Sequence, residues 1–254
     1  MKMTFLGTGS AMPVTHRAQA GTLVASEEGR VLVDCGSGVL GNLAGTDAGY
    51  EGVSSVLLTH HHLDHMSDLF PLLKARWLDG QDHLEVVGPP GTKTLIDGLL
   101  EVHEYLAGRI DLQIREVVPG DVFEIGGFET RAYETSHSTT CHAYRFTGAA
   151  GDVTVSGDSE ADTGLATFAD GSRVLSHDCS FPDDIDVSGH PTPQALGAAL
   201  AGSDIDRLYL THLYPHTQGR EDEMRASITD AGFDGDVRIA RDGLQVSIGS
   251  ETHP

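Results

Sequence analysis

Four side chains that can bind metal ions stand within six residues of this chain, directly after a short apolar strand. The run reads Thr59-His60-His61-His62-Leu63-Asp64-His65 and follows Ser55-Val56-Leu57-Leu58. Neutral imidazole and carboxylate are the ligand types that borderline cations such as Zn²⁺ prefer. Four ligands this close surround one tetrahedral ion only by distorting the backbone, so the spacing favours two adjacent ions. We expect His60 and His62 to point the same way from an extended segment, and Asp64 and His65 to turn toward a second ion from the start of a helix.

Three further candidate ligands follow predicted strands elsewhere in the chain. His137 comes after strand 128–135, Asp158 after strand 152–157 and His212 after strand 207–211. Each of them alone also fits an ordinary loop or turn residue. Together with the first cluster they complete two metal sites, because strand ends hold ligands rigidly while the adjoining loops shape a pocket.

Short β-branched or apolar runs alternate with helical patterns along the whole chain. The predicted strands are 2–6, 21–26, 30–34, 54–59, 84–88, 112–117, 128–135, 142–147, 152–157, 173–177, 207–211, 236–240 and 244–248. The predicted helices are 36–45, 64–79, 92–107, 193–202 and 219–231. Strands in such close succession favour an α/β (α+β) fold of two sheets packed face to face with helices outside, rather than a doubly wound parallel sheet. Residues 1–254 are expected to form one domain.

The candidate ligands resemble the metal signature of the metallo-β-lactamase superfamily. Three further segments resemble other motifs of that family: Gly7-Thr8-Gly9-Ser10, Val33-Asp34-Cys35-Gly36 and Ala240-Arg241-Asp242-Gly243. The resemblance implies a four-layer αββα sandwich of two mixed β-sheets flanked by helices. It also implies two divalent metal ions, Zn²⁺ in the first place with Mn²⁺ or Fe as alternatives.

The resemblance assigns each candidate residue a role. It implies that His60, His62 and His137 bind one ion, that Asp64, His65 and His212 bind the other, and that Asp158 bridges both. Asp34 would orient ligands through hydrogen bonds.

One branch of the superfamily is closer than the others. The segments Ser176-His177-Asp178-Cys179, Gly189-His190-Pro191-Thr192 and Leu210-Thr211-His212-Leu213 are similar to the ribonuclease Z and cyclic phosphodiesterase branch. In that branch a histidine in the position of His190, 22 residues before the last ligand, assists as a proton donor. Ribonuclease Z also carries a long arm that grips transfer RNA, whereas only 21 positions separate His137 from Asp158 here, which leaves room for a hairpin. The sequence therefore resembles a short form without the arm.

The candidate ligands together with the resemblance to this branch predict a dinuclear metal-dependent hydrolase that acts on a small or cyclic phosphodiester through a metal-bridging hydroxide. Asp64 would accept a proton from the bridging water and His190 would protonate the leaving alkoxide. Three alternatives stay open: a transfer-RNA 3′-end endonuclease, a thioester or lactone hydrolase on the same fold, and a binding protein without catalysis. His190 is the residue that separates the phosphodiester reactions from the thioester reaction.

Charge narrows the choice of partner. The chain has 38 Asp and Glu against 16 Lys and Arg, a formal net charge of −22. A broad nucleic-acid footprint needs clustered Lys and Arg, so a small phosphodiester is the expected substrate and extended nucleic-acid binding is not expected. Abundant Asp with few lysines is typical of halophilic proteins. No apolar run approaches the ~20 residues of a membrane span, so we expect a cytoplasmic enzyme. The resemblance also implies a possible homodimer, because relatives in this branch are commonly homodimers.

Several histidines and all cysteines receive ordinary interpretations. Three scattered cysteines predict reduced thiols rather than a disulfide framework. We expect His61 to point away from its two neighbours, and His142 and His216 to line the mouth of the pocket.

Overall fold

The computed structural model describes residues 1–249. Within them the strands are β1 Lys2–Gly7, β2 Gly21–Ala25, β3 Arg30–Val33, β4 Ser55–Leu57, β5 His83–Gly88, β6 Asp111–Glu116, β7 Val122–Ile125, β8 Phe128–Glu134, β9 His142–Phe146, β10 Asp152–Val155, β11 Ser172–Asp178, β12 Arg207–Thr211, β13 Asp236–Ile239 and β14 Gln245–Ser247. The α-helices are α1 Val39–Ala44, α2 Leu63–Met66, α3 Leu69–Leu78, α4 Thr92–Val102, α5 Thr163–Ala169, α6 Pro193–Leu200 and α7 Glu221–Asp230, and 3₁₀ turns cover Glu104–Leu106 and Pro215–Thr217. None of these helices is long and apolar enough to cross a membrane.

The strands form two seven-stranded mixed sheets. The first has the order β14-β1-β2-β3-β4-β5-β6 and the second β13-β12-β11-β10-β9-β8-β7. In the first sheet β3 to β6 are parallel, and in the second sheet β10 to β13 are parallel. β8 is antiparallel to β9, which is antiparallel to β10, so β8 and β10 run in the same direction. The carboxyl ends of β8, β10, β11 and β12 therefore meet at one edge of the second sheet.

Three apolar clusters give the molecule its layers. The cluster between the sheets includes Phe5, Val31, Tyr144 and Phe146, all of which are buried. A second cluster packs the first sheet against α1, α3 and α4, and a third packs the second sheet against α5, α6 and α7. Because each sheet buries both faces, the helices lie outside and the two sheets inside. The predicted four-layer αββα sandwich is confirmed.

The thirteen predicted strands are all present, with ends that differ by at most two residues. The sequence patterns missed β7, a four-residue strand between turns at Gly120 and Gly126, and α5, which begins after the capping carboxylate of Asp162.

The prediction of one continuous helix over 64–79 is wrong, because the chain forms two separate helices there, α2 and α3. The carbonyl oxygen of His65 accepts a hydrogen bond from Cys35 N–H, and Asp68 N–H donates to the carbonyl of Cys35. These bonds to the loop after β3 replace the i to i−4 bonds that a continuous helix would make. The break fixes Asp64 and His65 in a short turn of their own.

Candidate metal centre

The predicted ligand side chains converge at the edge where the strands of both sheets end. Asp158 lies in the middle of the group. Its Oδ2 is 3.8 Å from His60 Nε2, 3.7 Å from His137 Nε2 and 3.5 Å from His212 Nε2. Its Oδ1 is 3.4 Å from His65 Nε2. One carboxylate therefore faces histidines from both halves of the predicted set, as a bridging ligand would.

One group of donors consists of His60, His62, His137 and Asp158. One atom from each lies within 4.8 Å of the other three, and His62 Nδ1 is 3.3 Å from His137 Nε2. Zinc binds nitrogen at about 2.0–2.1 Å, which places neighbouring ligands of a tetrahedron about 3.3 Å apart. The spacing of these two nitrogens therefore fits a common ion of that size.

The second group consists of Asp64, His65 and His212, again with one atom of each within 4.8 Å of the others. His212 Nε2 is 3.1 Å and His65 Nε2 3.9 Å from Asp64 Oδ2. With Asp158 between the groups, the seven residues could hold two adjacent ions.

Three buried polar atoms at the centre have no hydrogen-bond partner among residues 1–249: His60 Nε2, His65 Nε2 and Asp158 Oδ1. An unsatisfied buried polar atom costs about 1–3 kcal/mol, so native proteins rarely leave several together. Burial, and then the neighbouring His65, lower the pKa of His60, which keeps its imidazole neutral as metal binding requires. Burial alone would raise the pKa of Asp158, but His212 and His65 outweigh it and hold the carboxyl ionised. The donor set fits divalent metal ions.

Asp34 orients two of the histidines, as the resemblance implied. Its Oδ2 accepts from His65 Nδ1 at 2.7 Å and from Thr59 Oγ1 at 2.8 Å, and Oδ1 accepts from Thr59 N–H at 2.8 Å. Thr59 Oγ1 is also 3.0 Å from His60 Nδ1. Asp34 thus fixes the Nδ1 side of both rings and leaves each Nε2 directed to the centre.

Two residues of the site have a left-handed backbone. Asp34 has φ 59° and His212 has φ 57°, and they are the non-glycine residues with positive φ within residues 1–249. This conformation is strained for side chains other than glycine and clusters at functional sites. Its occurrence at these two positions marks the edge where the donors meet.

His190 lies beside the candidate ligands and is paired with a buried carboxylate. Its Nδ1 is 2.6 Å from Asp178 Oδ2, and its ring stacks on that of His212 with 5.3 Å between centroids. Ser180 Oγ donates to Asp178 Oδ1 at 2.6 Å and accepts from His212 Nδ1 at 2.9 Å. Burial alone would lower the pKa of His190, but the hydrogen bond and charge of Asp178 outweigh it, so the pKa is raised.

Sequence reasoning missed Asp178 and Ser180 as site residues. Asp178 stands in the motif that pointed to the branch. It is the last residue of β11, whose end lies at the site edge, and Ser180 follows two residues later. Asp158, Asp178, His190 and His212 also offer donors within 4.8 Å of one another. Both oxygens of Asp178 are already hydrogen-bonded, one to Ser180 and one to His190. We therefore interpret Asp178 and His190 as a hydrogen-bonded carboxylate–imidazole pair next to the candidate ligands, and not as part of a third metal site.

The other histidines have separate places. His61 Nε2 bonds Thr92 Oγ1 at 2.7 Å, which ties the ligand segment to the start of α4. The expectation for His142 at the pocket mouth is wrong, because its side chain is fully buried on the same strand face as Tyr144, between the sheets. His216 is exposed and packs against Phe181. The three cysteines are unpaired and buried.

The segment between His137 and Asp158 forms β9, a short turn and β10, so the predicted hairpin is confirmed. No further structure is inserted there.

Two mixed sheets with outer helices and a His/Asp cluster at their common edge define a protein of the metallo-β-lactamase fold. The family model described as the beta-lactamase superfamily domain matches residues 29–213. The chain belongs to this superfamily and is a hydrolase of it, and the fold implies bound divalent metal ions.

Similar proteins span almost the whole chain. A ribonuclease Z of Mycobacterium marinum is 30% identical over 278 aligned positions, covering 98% of this chain and 99% of the relative. A ribonuclease Z of Mycolicibacterium gilvum is 29% identical, with 98% and 96% covered. Since both alignments are longer than the 254 residues of this chain, the relatives contain residues without a counterpart here.

Solved structures agree on the fold. The metallo-beta-lactamase fold protein YhfI from Bacillus subtilis superposes with a TM-score of 0.83 at 28% identity, covering 96% of this chain and 98% of that one. The short form of human tRNase Z superposes with a TM-score of 0.79 at 23% identity, covering 98% and 100%. The second likeness is one of fold alone.

Proposed function

We propose that this protein is a dinuclear, metal-dependent phosphodiesterase. The observation that carries the proposal is the His190–Asp178 pair beside the ligand cluster. Hydrolysis of a phosphodiester expels an alkoxide, a poor leaving group that needs a proton, whereas a thiolate or an activated lactam leaves more readily. A protonated imidazole held next to a metal centre supplies that proton. Thioester and lactone hydrolysis remain the less favoured reactions.

The ligands divide as the family resemblance implies. His60, His62 and His137 would hold one ion, Asp64, His65 and His212 would hold the other, and Asp158 would contribute to both. Zn²⁺ suits these donors best, with Mn²⁺ or Fe as alternatives. When bound, such ions would lower the pKa of a water toward about 7 and offset charge on the phosphoryl oxygens.

The protein's own residues handle the protons. Asp64, whose pKa is lowered because the hydrogen bond of His212 and the charge of His65 outweigh burial, accepts a proton from the attacking water. Asp178 engages Nδ1 of His190, so Nε2 is the atom that donates to the leaving oxygen. Asp178 and Ser180 keep that ring in place against His212.

The comparisons and the geometry favour different substrates for this chemistry. The relatives named ribonuclease Z support a transfer-RNA 3′-end endonuclease, and they support it more than they support a small-molecule phosphodiesterase. The short β9–β10 hairpin and the net charge of −22 favour a small or cyclic phosphodiester, because nothing between His137 and Asp158 can serve as an RNA-gripping arm.

A substrate panel decides between these functions. Metal-stripped protein in molar KCl, with Zn²⁺ or Mn²⁺ restored, would be given bis(p-nitrophenyl) phosphate, a cyclic nucleotide, a transfer-RNA precursor with a 3′ trailer, a thioester and nitrocefin. Metal-dependent cleavage of the diester with a cut at the RNA 3′ end supports the endonuclease. Cleavage of the diester and the cyclic nucleotide alone supports the small substrate. Thioester turnover with an inert diester would contradict the proposal.

A further inference from the structure

Three aromatic side chains pack together next to His190; we name Phe181, Tyr214 and His216 the aromatic platform. Phe181 and Tyr214 stack with 4.4 Å between ring centroids and 28° between planes. His216 lies 5.5 Å from Phe181. Phe181 and Tyr214 are in turn 6.1 Å and 6.0 Å from the ring of His190. The aromatic platform is therefore continuous with the proton donor.

The aromatic platform runs from the interior to the surface. Phe181 is 7% exposed, Tyr214 is half-buried and His216 is exposed. Backbone bonds fix this arrangement, because Tyr214 N–H donates to the carbonyl of Ser180 and Thr217 N–H donates to the carbonyl of Tyr214. The loops after β11 and β12 are thus joined, and they hold the aromatic platform in place beside His190.

We infer that the aromatic platform is a nucleobase subsite, which seats the base of the nucleoside that leaves as His190 protonates its oxygen. The inference rests on the proposed phosphodiesterase function and names its substrate class. Aromatic side chains stack on the face of any base, and this is how proteins hold unpaired nucleotides. A chain with 38 acidic and 16 basic residues has little positive charge to grip a phosphate backbone, so stacking is the stronger means available to it.

The placement beside His190 decides which nucleoside is held. A general acid must lie within hydrogen-bond reach of the oxygen it protonates. The alcohol attached to that oxygen therefore lies on the His190 side of the metal centre, next to the rings of Phe181 and Tyr214. In an in-line displacement the attacking water enters opposite the leaving oxygen, and the nucleoside that keeps the phosphate extends sideways from that axis, away from the aromatic platform.

The test compares three dinucleotides that differ by one base. The thymidine dinucleotide and its two analogues, each with one thymine replaced by hydrogen, share the same phosphodiester and nearly the same leaving oxygen. Stacking is worth about 1–3 kcal/mol per base, which corresponds to about 5- to 150-fold. The leaving-side thymine is the one on the nucleoside that the reaction releases without phosphate, so the products identify it. We expect loss of this thymine to lower kcat/KM within that range, and loss of the other thymine to have less than a twofold effect.

Variants separate stacking from damage to the fold. His216→Ala, at an exposed position, is expected to lower kcat/KM for the full dinucleotide and to reduce the difference between it and the leaving-side abasic analogue. His216→Trp is expected to preserve or widen that difference. His103→Ala removes another exposed histidine that has aromatic neighbours, Phe70 and Tyr105, and is expected to change neither value.

The outcomes distinguish the inference from the function on which it rests. Equal kcat/KM for the three dinucleotides would overturn the nucleobase subsite alone. So would a difference between the full dinucleotide and the leaving-side abasic analogue that stays unchanged in both single variants, His216→Ala and Phe181→Leu. The same holds if bis(p-nitrophenyl) phosphate is hydrolysed while all three dinucleotides are inert. Absence of turnover on every diester would instead overturn the phosphodiesterase function.

Discussion

His190 and Asp178 are joined by a hydrogen bond of 2.6 Å between Nδ1 and Oδ2, and Ser180 connects the same carboxylate to His212. The pair links a proton donor to a candidate metal ligand through one buried carboxylate. It also fixes which nitrogen of His190 is free to act. The phosphodiesterase proposal depends on this relationship more than on any single ligand.

The pH dependence of the rate follows from that bond. His190 acts in its protonated form, so activity falls as the pH rises through its pKa, and Asp178 raises that pKa. Asp178→Asn removes the charge, lowers the pKa of His190 and moves the alkaline limb of the kcat/KM profile to lower pH. The profile would be measured with a dinucleotide. An unmoved alkaline limb in the variant would contradict the role of Asp178.

Asp34 is expected to control metal affinity without binding metal. Asp34→Ala releases the Nδ1 side of His65 and, through Thr59, of His60, so their Nε2 atoms lose their fixed direction. Loss of such orienting partners typically lowers metal affinity about 10–100-fold. Competition with a chelator of known zinc affinity measures the change. Asp111→Ala, at an exposed strand start far from the site, is the control, and equal affinity in both variants would be evidence against the orienting role.

Arg76 is expected to stabilise the fold from a position outside the site. Its guanidinium is buried and donates to the carbonyl oxygens of Tyr50, Glu51 and His83 at 2.7–3.0 Å. Arg76→Met leaves these oxygens without their donor, which is expected to lower the free energy of unfolding by about 3 kcal/mol. Arg225→Met, in an exposed pair with Asp222, should cost about 0.5 kcal/mol or less. Denaturant titration compares the two, and similar costs would contradict the account.

Salt is expected to stabilise the protein. With a net charge of −22, the carboxylates of the protein repel one another. The Debye length falls from about 10 Å at 0.1 M salt to about 3 Å at 1 M. The free energy of unfolding should therefore rise between 0.1 M and 2 M KCl, because salt screens this repulsion. Thermal unfolding at several KCl concentrations measures this. A free energy of unfolding that stays constant or falls with added KCl would show that repulsion between carboxylates does not destabilise the fold.

The sequence was sufficient for the parts of the site that are encoded locally. The candidate ligands in the run 60–65 and the strand-end residues His137, Asp158 and His212 could be placed together from the sequence, because parallel strands deliver their ends to one edge. The sheets followed from alternation and from the spacing of turns. A helix of small residues such as α5, whose signal is little more than a cap at Asp162, gave no comparable periodicity.

The parts that could not be predicted depend on contacts between distant segments. Ser180 and His212 are 32 positions apart, and their bond exists only because β11 and β12 are neighbours. The helix break at 67–68 depends on hydrogen bonds to Cys35. His142 is buried because its face of β9 turns toward the other sheet. The sequence alone did not indicate which face that would be, although His142 stands close to His137 in the chain.

The most direct test of the central claim measures metal content and rate together in two variants. Asp158→Ala removes the carboxylate between the two groups of ligands, whereas His190→Ala removes the proton donor and leaves the ligands in place. The account predicts that His190→Ala retains about two metal ions per chain and loses about 10²–10⁴-fold in rate on a dinucleotide, with a smaller loss on bis(p-nitrophenyl) phosphate, whose leaving group needs no proton. Asp158→Ala is predicted to lose both metal and rate. Equal metal loss in the two variants, or an undiminished dinucleotide rate in His190→Ala, would contradict the division of the site into ligands and proton donor.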